Sequence, residues 1–189
     1  MGLFEKIKSK FVSADGKLTP PPASFATRPD TVYAPLTGML VSLQEVNDEV
    51  IPAGLLGVGY GIVPTTSTGV IYSPVSGHVG ATTVTNHSII IAADNGMEVL
   101  VHVGIGTVNM GGKGFTALVS MGDEVVAGQP LLAFDDDSIK LAGYDDVVTC
   151  TITNADKFDR VDRVGDSGTL IGGRPLVKIG DPLLVVRSE

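Results

Sequence analysis

The feature that most constrains this chain is its punctuation. Short runs of β-branched and aliphatic residues, at positions 39–43, 69–72, 78–84, 88–92, 98–103, 116–120, 130–134, 147–153 and 182–187, are separated by glycine, proline, asparagine and aspartate. Runs of this length suit strands, and the residues between them suit reversals of the chain. Few stretches reach the roughly 10–12 residues over which a helix can show an apolar face. The 189 residues include 24 glycines, a density that fits the tight corners of a barrel or sandwich. With 43% of its residues hydrophobic, the chain can bury one proper core. The expected fold is mostly β: a single compact antiparallel β-sandwich or barrel domain, with short helical turns near residues 108–114 and 135–142.

Two internal echoes point to related halves within that domain. Tyr33-Ala34-Pro35-Leu36-Thr37-Gly38 matches Tyr72-Ser73-Pro74-Val75-Ser76-Gly77, and the Gly128-Gln129-Pro130-Leu131 turn matches Gly180-Asp181-Pro182-Leu183. Two copies are too few for a solenoid, so the echoes indicate an internal duplication.

The N-terminus is of another kind. Placed at about 100° per residue, Leu3, Phe4, Ile7 and Phe11 form one stripe flanked by Lys6, Lys8 and Lys10. Residues 1–12 therefore read as an amphipathic segment that turns helical on an anionic membrane. Lys6 occupies the place where a myristoylation signal needs Ser or Thr, so such contact would rest on the peptide itself. Residues 13–30, with Pro20-Pro21-Pro22, read as a flexible Pro-rich linker, and the folded domain as residues 31–189.

Several function classes lose ground on composition. No run approaches 18 apolar residues, and the opening lacks a secretory signal, which leaves a cytoplasmic protein with peripheral contact at the inner face of the membrane as the expectation. Cys150, the single cysteine, rules out an intramolecular disulfide and is expected to be a buried, inert thiol. A formal net charge of −8 disfavours nucleic acid as a partner and suits a basic protein better.

Of three histidines, two fall on adjacent expected strands. His87 precedes Ser88-Ile89-Ile90-Ile91, His102 lies within Glu98-Val99-Leu100-Val101-His102-Val103, and Ala93-Asp94-Asn95-Gly96 between them is a tight-turn signal. Period-two alternation sends Val99, Val101 and Val103 to one face and leaves His102 on the other, with Leu100 and Glu98. Two neutral imidazoles side by side suit metal binding or phosphoryl transfer, and the bland alternative is a pair of satisfied histidines at a sheet edge.

The surrounding residues decide between these. Thr85-Asn86-His87-Ser88, then Gly96-Met97-Glu98-Val99-Leu100-Val101-His102-Val103-Gly104-Ile105-Gly106-Thr107-Val108, then Gly112-Lys113-Gly114-Phe115 resemble the glucose-type enzyme IIA family of the bacterial phosphoenolpyruvate-dependent sugar phosphotransferase system. The resemblance runs over nearly all of residues 32–189. It implies a phosphocarrier without cofactor or metal: HPr, the histidine phosphocarrier protein, would donate phosphate to His102, and a cysteine on the IIB part of a sugar permease would accept it. By the same resemblance His87 would stabilise the phosphoryl group, Thr85 would orient that ring or the phosphate, and the Gly104 carbonyl would hold the other nitrogen of His102. Partner contacts would fall on Asp48, Val50, Ile51, Leu100, Gly104, Gly106 and Val108. The sequence departs from the family pattern at Gly106, where relatives carry an acid that receives a basic side chain of HPr, and Asp48 matches the other such acid. Ser88 and Ser76 replace an alanine and an aspartate.

Competing readings fit less well. Gly57-Val58-Gly59-Tyr60-Gly61 and Gly111-Gly112-Lys113-Gly114 complete no nucleotide-binding fingerprint and read as turns. A zinc hydrolase would need a His-x-His pair and a third ligand, and a lipoyl or biotinyl carrier a lysine at a hairpin tip. The serious alternative is a regulatory module that binds transporters or metabolic enzymes according to its phosphorylation state.

Overall fold

A computed structural model of the chain describes residues 16, 19–46, 56–65 and 69–188. Residues 1–12, expected to form the amphipathic segment, lie outside the described residues. Strands dominate: β1 (Thr31–Tyr33), β2 (Gly38–Ser42), β3 (Val58–Pro64), β4 (Val70–Tyr72), β5 (Gly77–Thr82), β6 (Ser88–Ala93), β7 (Glu98–Ile105), β8 (Phe115–Ala117), β9 (Glu124–Val125), β10 (Pro130–Phe134), β11 (Asp145–Ile152), β12 (Arg160–Arg163), β13 (Leu170–Ile171), β14 (Arg174–Val177) and β15 (Pro182–Arg187). Among the described residues there is one α-helix, α1 (Asp136–Leu141), capped by Asp135, whose carboxylate accepts from the Ser138 N–H at 3.2 Å.

Every pairing among the described residues is antiparallel. A nine-stranded sheet runs β13-β14-β2-β3-β11-β7-β6-β5-β9, and two three-stranded sheets, β1-β15-β12 and β4-β10-β8, complete a sandwich-like fold. The main core draws Leu40 and Ile62 with Val99, Val101, Val103, Val148, Cys150 and Ile152 from one face of the large sheet. The alternate residues of these strands face the other way, and that outer face carries His102.

The two sequence echoes are one piece of geometry. The Tyr33 N–H donates to the Pro74 carbonyl at 3.0 Å, and the Tyr72 N–H to the Pro35 carbonyl at 2.9 Å. The Ala34 N–H donates to Asp181 and the Ser73 N–H to Gln129, both at 2.8 Å, while Gly180 and Gly128 donate back to Ala34 and Ser73 at 3.1 and 2.9 Å. Each bond in one half has its counterpart in the other, so the duplicated turns lock together about a pseudo-two-fold.

Two expectations are corrected. The stretch around Gly57–Gly61 is not a turn: it enters β3, an interior strand between β2 and β11. Its glycines serve close approach, since a Cβ on Gly59 would strike the Cys150 carbonyl oxygen and one on Gly61 the side chains of Val41 and Val46. Nor are residues 19–30 a free tether. Pro20 is buried, the Ala23 N–H donates to the Gly128 carbonyl at 2.9 Å, and the Phe25 ring packs on Tyr33 with centroids 5.1 Å apart. The Asn95 side chain closes this strap by donating to the Pro29 carbonyl at 2.7 Å. Individual contacts fasten it where no periodic apolar face exists.

Candidate active site

The site is built on the hairpin of β6 and β7. Ala93 and Met97 close its turn, with the Ala93 N–H donating to the Met97 carbonyl at 2.8 Å, and the register then sets Ser88 directly opposite His102. Strict alternation from Ser88 would send His87 away from His102. The chain bends first: Asn86, with φ of 56°, is the one non-glycine at positive φ among the described residues, and its N–H donates to the Thr83 carbonyl at 3.0 Å. The two imidazoles meet with ring centroids 4.9 Å apart, edge to face at 85°.

Their environments differ. His87 is 5% exposed, and its burial lowers its pKa below the ordinary histidine value. Thr85 Oγ1 lies 2.5 Å and Thr83 Oγ1 3.3 Å from His87 Nδ1, and the Phe115 ring flanks the imidazole at 6.3 Å. Thr83 is itself anchored, because it accepts from the Ser88 N–H at 3.3 Å. His102 is partly exposed, although its Nδ1 is sealed from solvent. On the side away from β6, register sets Thr149 of β11 directly opposite His102.

Two residues past His102 and still within β7, Gly104 has a φ of +75° that is open to glycine, and its missing Cβ leaves room for the Thr107 side chain. Thr107 is buried and donates from its hydroxyl to the Val103 carbonyl at 2.6 Å, opening a 3₁₀ turn, Thr107–Met110. Gly106 sits under Tyr144, the ring carbons lying 3.0 Å from where a Cβ would be. Val108 and Val84, 54% and 101% exposed, are apolar side chains on the two loops that border the histidines.

The remaining expected contacts divide. Leu100, on the same side of β7 as His102, is 7% exposed. Asp48, Val50 and Ile51 lie outside the described residues. The described ends of their segment, Val46 and Leu56, both pack in a small cluster with Val147 of β11. Thr83, Phe115 and Thr149 were not singled out from sequence. Phe115 ends the Gly-Lys-Gly-Phe motif and Thr83 repeats Thr85 at period two, whereas Thr149 is marked only by long-range register. Among the described residues no cluster of three or more His, Cys, Asp or Glu side chains is placed to hold a metal ion.

Comparisons with known proteins converge on one family. The family model described as phosphoenolpyruvate-dependent sugar phosphotransferase system, EIIA 1, matches residues 30–158. The β-glucoside-specific EIIBCA component of Bacillus subtilis is 40% identical over 129 residues, which is 68% of this chain and 21% of that protein. The corresponding Dickeya chrysanthemi component is 40% identical over 154 residues, 82% of this chain and 24% of that protein, so the chain spans about a quarter or less of these longer relatives. The glucose-specific EIIA component of Staphylococcus aureus is 36% identical over 148 residues, covering 78% of this chain and 88% of that one. Among solved structures, the glucose permease IIA of Mycoplasma capricolum superposes with a TM-score of 0.66 at 30% identity, over 82% of this chain and 94% of that one. With this match, this sheet order and this histidine pair, the chain belongs to the EIIA 1 family of the sugar phosphotransferase system, whose members transfer phosphoryl groups through a phosphohistidine.

Proposed function

We propose that this chain carries phosphoryl groups on His102, taking them from HPr and passing them to the cysteine of a IIB domain. In each direction the His102 outer ring nitrogen, Nε2, supplies or recovers the electron pair of the P–N bond while the partner's nucleophile does the converse. The observation that carries the reading is the contrast between the rings. One imidazole is partly exposed on an outer sheet face, and the other is buried 4.9 Å away and held through its Nδ1 by Thr85. With the Thr85 hydroxyl donating to Nδ1, the His87 Nε2 carries its proton outward and can donate to the phosphoryl oxygens. Desolvation keeps that ring neutral, so it serves as a fixed dipole and not as a competing nucleophile.

Val84 and Val108 supply exposed apolar side chains on which both partners would dock in turn, and the family pattern adds Asp48, Val50, Ile51, Leu100, Gly104 and Gly106 to the expected contacts. With glycine at 106, Asp48 carries the acidic contact to HPr. The stripe of Leu3, Phe4, Ile7 and Phe11 with its lysines supports peripheral contact with an anionic membrane at the cytoplasmic face, near the permease. No helix among the described residues is long and apolar enough to cross a membrane.

Incubation with phosphoenolpyruvate, enzyme I and HPr should label the chain on one histidine, in an acid-labile, alkali-stable form. His102→Gln should abolish labelling. His87→Gln should still accept phosphate but pass it on about a hundredfold more slowly, the scale on which loss of one transition-state donor acts. Normal labelling of the His102 variant would refute the assignment.

A further inference from the structure

Thr149 and Thr151 of β11 present an anomaly next to the site. Both are buried, at 1% and 0% exposure, and neither hydroxyl has a hydrogen-bond partner. An orphaned buried hydroxyl is costly in a folded protein, and it calls for a reason where it survives. Here β11 already has its place: Val148, Cys150 and Ile152 point into the main core, so Thr149 and Thr151 share the opposite face. Valine at either place would keep shape and strand preference without the stranded hydroxyl. The register separates the two. Thr149 is directly opposite His102, whereas Thr151 is directly opposite Leu100.

We propose that Thr149 is a positioning residue for phosphoryl transfer: its hydroxyl pairs with the inner ring nitrogen of His102 when the outer nitrogen carries phosphate, and thereby sets the protonation and lifetime of the phosphohistidine. The inference rests on the assignment of His102 as carrier and deepens it. Directly opposed side chains on neighbouring strands have Cβ atoms about 4.5–5.5 Å apart, so a rotamer adjustment brings the hydroxyl within reach of the base of the ring. The inner nitrogen is sealed from solvent, so its partner must come from the protein. Attack through Nε2 spends that atom's lone pair on the new N–P bond and leaves the Nδ1 proton on a ring that has become cationic. When the phosphoryl group departs, the electron pair of the N–P bond returns to Nε2 and the ring is neutral again. A protonated inner nitrogen makes the ring the better leaving group, so whatever holds that proton governs how fast the phosphohistidine gives up its cargo. A hydroxyl suits this duty because it accepts from N–H and can also donate to a bare nitrogen, whereas a backbone carbonyl serves only the protonated ring.

Thr151 supplies the control. In the full-length chain, Thr149→Val and Thr151→Val should each hold or raise the melting temperature, because each removes a desolvated, unpartnered hydroxyl. Only Thr149→Val should change the chemistry. Single-turnover transfer from phosphorylated HPr and onward to IIB should fall about tenfold, the order of one hydrogen bond of ordinary strength. The pH profile of spontaneous phosphohistidine hydrolysis should shift to lower pH, because the protonated ring has lost its partner. Thr149→Ser, which restores the hydroxyl, should return both to within about twofold of the parent. Unchanged transfer and an unchanged pH profile in Thr149→Val, or an equal change in Thr151→Val, would overturn the proposal while leaving His102 as carrier. A parent chain that accepts no phosphate would overturn both.

Discussion

His87 holds a ring that the folded chain prefers to keep neutral. Its pKa is lowered by burial, so the unfolded chain binds the proton more readily than the native one. Stability from this source is fully present above the ordinary histidine value of 6.5 and is lost as pH falls below it, toward the lower native value. Urea midpoints measured between pH 7.5 and 5.5 should therefore fall more for the parent than for His87→Gln, by at most about 1.4 kcal/mol per pH unit. Equal slopes would mean that the proton finds a welcome in the native site. At this scale much of the site was legible: His87, His102 and Thr85 lie together in two short motifs on one hairpin, although the bend at Asn86 that turns His87 toward His102 carries no such signal. Thr149 was not legible, because a threonine in a β-branched run looks like any strand residue until the pairing of β7 with β11 is known. Alternation gives the face of a strand, but not what covers that face.

Elements tell a similar story on a larger ruler. The β6–β7 hairpin could be read because Ala-Asp-Asn-Gly marks its turn and aliphatic residues fill both arms. The interior strand β3 could not, since Gly59 and Gly61 mimic turn residues and reveal their use only when β2 and β11 press against them. The strap escaped notice because periodicity detects faces and not single anchors. Its anchors imply a measurable contribution: a chain beginning at Thr31 should melt below one beginning at Thr19, with a loss of about 1–3 kcal/mol from the packing of Pro20, Ala23 and Phe25. Coincident melting of the two truncations would show that the strap merely rests on the surface. Limited proteolysis should likewise spare the segment between Ala23 and Pro29.

The molecule as a whole is stitched by reciprocal bonds between its halves, each duplicated turn completed by backbone from the other. Neither half is self-sufficient, and unfolding should be a single cooperative event. Cys150 offers a built-in reporter: it is buried, and that burial pushes its thiol pKa up to about 12. Its labelling by a thiol reagent in rising urea should track the loss of circular dichroism, and earlier labelling would reveal partial opening of the large sheet. The same cysteine matters for the company this carrier keeps. On the proposed function a IIB acceptor would bring a reactive thiolate against the face around His102, the arrangement from which mixed disulfides arise when an oxidant is present. This chain's one thiol points from β11 into the core, away from that encounter. Under oxidative stress the partner's thiol stands alone at risk, and the two proteins cannot become covalently trapped in the act of exchange.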